Sequence, residues 1–67
     1  MNEENKMYEM KIYPVENGRE KFGHRYYINS LDEAIFLART FEGKINSVIR
    51  IRLNGKLIYT FKTTEKV

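Results

Sequence analysis

Arg50 and Arg52 alternate along one strand-like run, and Leu57, Tyr59 and Phe61 alternate along the next. Between the runs stands Asn54-Gly55, the strongest short-range signal for a two-residue type I′ turn, because both central positions of that turn need positive φ. With Leu53 opposite Lys56, the expected cross-strand partners are Arg52 with Leu57, Ile51 with Ile58, Arg50 with Tyr59, Ile49 with Thr60 and Val48 with Phe61. Side chains alternate with a period of two, so Ile49, Ile51, Leu53 and Ile58 are predicted on one face and Val48, Arg50, Arg52, Leu57, Tyr59 and Phe61 on the other. Guanidinium groups interleaved with rings on an open sheet can neutralise phosphates and stack bases. The same residue types are enriched at protein interfaces. Arg25 and Tyr27 extend the candidate binding set, giving Arg25, Tyr27, Arg50, Arg52, Leu57, Tyr59 and Phe61, with Lys11 and Tyr13 beside them.

Catalytic chemistry finds little support in the remaining residues. His24 is the single histidine, and no serine or carboxylate stands at motif spacing from it, so a structural or partly exposed side chain is expected. Asp32 and Glu33 are accounted for by helix capping, and Glu9 by a cross-strand partner in Arg25. The serines and threonines lack a nucleophile-elbow context. The four glycines are isolated from one another, which leaves no phosphate-cradling loop. Without cysteine the chain has no disulfide, no thiol nucleophile and no Cys-based zinc site. The sequence therefore points to a protein that is not an enzyme, with no cofactor, no metal and no small-molecule substrate.

The elements that must position the arginine and aromatic row follow from patterning. Residues 1–6 lack periodicity and are expected to form a disordered leader. A first strand over residues 7–13 alternates Tyr8, Met10 and Ile12 with Glu9, Lys11 and Tyr13, and Pro14 should end it or mark an edge. A second strand is predicted over residues 22–29. A two-residue Asn17-Gly18 loop would set Met10 opposite Arg25, mixing charge with the core. A three-residue loop with Gly18 in the left-handed conformation instead pairs Tyr8 with Tyr26, Ile12 with Phe22 and Glu9 with Arg25. That register predicts Tyr8, Met10, Ile12, Phe22, Tyr26 and Ile28 inside and Lys11, Tyr13, Arg25 and Tyr27 outside.

Ser30-Leu31-Asp32-Glu33 reads as a capping box opening a helix over residues 31–42, with Asp32 and Glu33 complementing the positive end of the macrodipole. Leu31, Ala34, Ile35 and Ala38 form its apolar stripe, widened by Leu37 and Phe41, and Gly43 fits the left-handed residue beyond its end. Phe36 lies well off the stripe, about 140° from Leu31, free for solvent or for another chain. The final hairpin follows, then a frayed tail over residues 63–67. The expected fold is α+β: a two-layer ββαββ sandwich spanning residues 7–62, with a four-stranded sheet carrying one helix on one face. The order does not match the βαββαβ arrangement of the common RNA-binding domain, and no glycine-aromatic motif of that domain is present.

Sixty-seven residues make a single domain with a marginal core, for which association is a common source of extra burial. The formal charge of +3 is unevenly spread: residues 1–42 carry a net −2 and residues 43–67 a net +5. No apolar run approaches the ~18 residues a membrane span requires, and the acidic N-terminus is unlike a signal peptide, so a cytoplasmic location without membrane contact is expected. Size and the lack of targeting signals suit a small bacterial or phage-encoded protein. The leading functional expectation is a protein interaction module that self-associates, as a homodimer or other homo-oligomer, through the exposed aromatic and arginine face or a sheet edge. The alternative is a nucleic-acid-binding module using the same face.

Overall fold

A computed structural model describes residues 7–66 of the chain. The expected leader, residues 1–6, lies outside the described residues. The chain forms a small α+β domain with strands β1 (Tyr8–Glu16), β2 (Arg19–Glu20) and β3 (His24–Ile28), helix α1 (Leu31–Arg39), and strands β4 (Ser47–Leu53) and β5 (Lys56–Thr63). The sheet is antiparallel and curled. β1 lies at its centre, with β2 and β3 on one side, β4 on the other, and β5 beyond β4. Because β1 and β4 run antiparallel, their hairpins reach out in opposite directions, and the molecule is elongated at 48 × 19 × 16 Å.

Both hairpins close at Asn-Gly, and both turn residues take positive φ in each: 54° and 76° at Asn17-Gly18, 54° and 79° at Asn54-Gly55. The first loop is thus the two-residue turn, not the expected three-residue loop, with Glu16 opposite Arg19. A break at residues 21–23 then splits the second strand into β2 and β3 and shifts the pairing, so that Ile12 faces His24, Met10 faces Tyr26 and Tyr8 faces Ile28. The register departs from expectation by two residues. An even shift leaves each side chain on its face, so Tyr8, Met10, Ile12, Tyr26 and Ile28 still line the helix side. Phe22 does not. It falls in the break, is exposed, and its ring meets Tyr13 edge-on at 5.9 Å on the opposite side of the sheet.

The break also explains Pro14, which continues β1 instead of ending it. In a strand the N–H and C=O of one residue point the same way. Pro14 accepts the Lys21 N–H at 2.8 Å, so its missing N–H would have pointed at the same break, where no ladder acceptor is left waiting. Gly23 completes the fit. A Cβ there would stand 2.8 Å from Pro14 Cδ and 3.1 Å from the Ile12 carbonyl oxygen.

The helix starts as its sequence dictates, with Ser30 Oγ accepting the Glu33 N–H at 3.3 Å. The reciprocal bond from the Glu33 carboxylate is not among the hydrogen bonds of the described residues. The regular helix is three residues shorter than expected. Its end tightens into bonds from Phe41 N–H to Ala38 and from Glu42 N–H to Arg39, and the left-handed Gly43, φ 85°, turns the chain away. Ala34 and Ala38 are fully buried and let α1 settle closely on β1 and β3. Tyr8, Met10, Ile12, Ile49 and Ile51 complete the core, with Phe41 and Ile45 of the following connection packed against it.

Residues 63–66 are tied down, contrary to the expected fraying. Thr63 Oγ1 donates to the Ile45 carbonyl at 2.8 Å and therefore accepts from Ser47 Oγ at 2.6 Å, a buried pair that satisfies both hydroxyls. Beyond it, Gly43 N–H reaches the Thr64 carbonyl at 2.8 Å and Lys66 N–H reaches Gly43 at 3.0 Å. Among the described residues no helix is long and apolar enough to cross a membrane.

Candidate functional site

The decisive feature of the second hairpin is one extra residue. Leu53 faces Lys56 and Arg52 faces Leu57 as the turn requires, but Ile51 then faces Tyr59, leaving Ile58 as a bulge. From there every pair is shifted by one: Arg50 with Thr60, Ile49 with Phe61, Val48 with Lys62. A shift of one exchanges the two faces. Tyr59 and Phe61, expected beside the arginines, lie on the helix side, opposite the buried isoleucines. Their rings stack on each other at 5.3 Å with 9° between planes, and Phe61 packs against the core. Ile58, expected in the core row, is exposed at the bulge.

The predicted binding set is therefore divided. Arg25, Tyr27, Arg50, Arg52 and Leu57 share the outer face, whereas Tyr59 and Phe61 do not belong to it. Across that face, one row runs Tyr27, Glu9, Arg52, Leu57 and the next runs Arg25, Lys11, Arg50, Thr60. Tyr13, Val48 and Lys62 form a third.

Most of the outer cations have partners. Glu20, delivered by β2, takes Arg50 with both oxygens at 3.0 and 3.2 Å. The Arg50 guanidinium also lies 4.9 Å over the Tyr13 ring. Its hydrogen bonds hold the Glu20 carboxyl below the usual carboxylate range and raise Arg50 above its ordinary value. Arg25 reaches Glu9 at 3.2 Å even though Glu9 stands opposite Tyr27, and covers the Phe22 ring at 5.7 Å. Arg52 differs from the others. Among the described residues it makes no ion pair within 4.0 Å, and its Nη1 is buried without a hydrogen-bond partner.

A second surface is the edge of the sheet. Among the described residues β5 is paired on one side only, by β4, and along it Leu57, Ile58 and Tyr59 are consecutive exposed apolar residues. Sequence reasoning set these residues on alternating faces of a regular strand, and no local signal distinguishes a strand that bulges at Ile58 from one that does not. Phe36, on the far side of α1, is 72% exposed, the most exposed of the large apolar side chains described. His24 is exposed on β3, in tilted contact with Tyr26 at 6.1 Å. Among the described residues no group of three or more His, Asp or Glu could hold a metal ion. A cleft lined by Glu42, Gly43, Thr64, Glu65 and Lys66 is open, and the Thr64 hydroxyl donates across it to Glu42 at 3.1 Å. Comparison with known protein families, with curated proteins and with solved structures gives no match for this chain.

Proposed function

We propose that this protein is a non-enzymatic interaction module, a two-layer ββαββ unit in which β2 and β3 act as one broken strand, and that it self-associates through the free edge of β5. The observation carrying this reading is the run Leu57-Ile58-Tyr59 exposed along the eight-residue edge strand. An edge strand presents unpaired N–H and C=O groups, and strand addition satisfies them while side chains supply apolar contact. Lys56 and Lys62 are the kind of charge that discourages such pairing, but they bracket the apolar trio without interrupting it. Two copies paired antiparallel with Leu57 opposite Tyr59 of the second copy keep the lysines apart, with the bulge at Ile58 interrupting the ladder at its midpoint. Pairing about Tyr59 would bring Lys56 against Lys62 of the second copy, so electrostatics favours the first register.

Light scattering tests this directly. Self-association through β5 requires a mass near twice the 8.1 kDa of one chain, insensitive to added salt, and a return to the single-chain mass with Ile58→Lys. A single-chain mass for the unaltered protein at high concentration rejects it.

A further inference from the structure

The outer sheet face carries a chemistry that association at the edge does not use. Five cations, Lys11, Arg25, Arg50, Arg52 and Lys62, share it with the carboxylates of Glu9 and Glu20. Glu9 is shared between Arg25 at 3.2 Å and Lys11 at 4.0 Å, and Glu20 is committed to Arg50. Arg52 and Lys62 have no ion pair among the described residues. The face is thus positive on balance, and α1 lies on the opposite side of the sheet.

Arg52 is the focal point. A guanidinium has five N–H donors in a planar fork suited to phosphate oxygens. Nη1 of Arg52 is covered, so the fork meets a ligand through its other nitrogens, and no carboxylate among the described residues pairs with it. In the same row, two strands away, stands Tyr27, 61% exposed, with its ring available as a stacking platform. Two strand spacings separate the two residues by ~9.5 Å, a nucleotide-sized step between a cation for the backbone and a ring for a base, and the carboxylate of Glu9 that lies between them is neutralised by Arg25 and Lys11.

We infer that this outer face binds single-stranded nucleic acid, with Arg52 and Lys62 on phosphates and Tyr27 stacked on a base. The pairing of a guanidinium without a carboxylate partner and an exposed ring favours a chain that alternates phosphate and base over an acidic polypeptide, whose carboxylates do not alternate regularly with flat rings. The face lies wholly within one chain, so the inference does not depend on association through β5.

Fluorescence anisotropy of a labelled oligothymidylate of about twelve nucleotides provides the test. The expected result is binding whose affinity falls steeply between about 50 and 200 mM salt. Arg52→Gln should weaken it about fivefold or more and reduce the salt slope by about one. Tyr27→Ala should weaken it about fivefold or more with the slope unchanged. Arg39→Gln on α1 should leave affinity within about twofold, since one charge remote from the face alters only the general field. Because Tyr27 is exposed, its variant carries the test even if Arg52→Gln fails to fold, which circular dichroism would reveal. No binding at low salt overturns the inference, as does binding indifferent to both substitutions. Displacement of the oligonucleotide by polyglutamate at matched charge overturns it too, because it would show a site selecting charge alone.

Discussion

Arg50 shows how one side chain can be held in three ways at once: by both oxygens of Glu20, by the ring of Tyr13 beneath it, and by its place in the sheet opposite Lys11. The lowered Glu20 carboxyl gives this arrangement a pH signature. A carboxyl whose folded value lies below its unfolded value stabilises the fold fully above the unfolded value, and that stability is lost as pH falls through the folded one. Glu16, lowered by its hydrogen bond to Lys21 at 2.9 Å, acts in the same sense. Thermal melts from neutral pH into the acid range should therefore show Tm falling below the ordinary glutamate range, with a shallower fall in Glu20→Gln. Buried hydroxyls are the other residue-scale lever. Thr63→Val removes the donor to Ile45 and strands Ser47, and should cost about 1 to 3 kcal/mol in denaturant unfolding. Neither pairing was visible in the sequence. Ser47 and Thr63 are polar residues sixteen positions apart, and only the tertiary ladder brings them together.

At the scale of elements, local chemistry and ladder geometry differ in how much they reveal in advance. The capping serine, the apolar stripe of α1, the left-handed Gly43 and the Asn54-Gly55 turn are each encoded within a few residues, and each stands where patterning set it. The two bulges are not local in that sense. At residues 21–23 the extra length corrects a turn that would otherwise have placed charge in the core, and even parity protected the face assignment from the wrong loop length. At Ile58 the extra residue changes parity, so Tyr59 and Phe61 cross to the helix side, where Phe61 packs against the core. The first bulge rests on Gly23, whose backbone lies against Pro14 and the Ile12 carbonyl. Gly23→Ala should destabilise the fold by about 1 to 3 kcal/mol, since a proline ring and a backbone oxygen have little room to yield. Urea denaturation would measure it, and an unchanged midpoint would show that the break is not tightly packed.

For the molecule as a whole, one helix of nine residues serves a domain 48 Å long. The α+β class and the position of Tyr27, Arg25, Arg50, Arg52 and Leu57 on the outer face were readable from periodicity. What periodicity could not show is that the aromatic pair leaves that face, so that the apolar and the basic surfaces separate: apolar at the β5 edge, basic across the open side of the sheet. The separation gives the two surfaces opposite salt responses, because apolar edge pairing tolerates salt and phosphate contact does not. The most direct measurement is residue-resolved hydrogen exchange along β5 at high and low protein concentration. Association at this edge requires that amides directed away from β4 exchange slowly when concentrated and quickly when dilute. Fast exchange of those amides at every concentration would mean that no second copy is bound there.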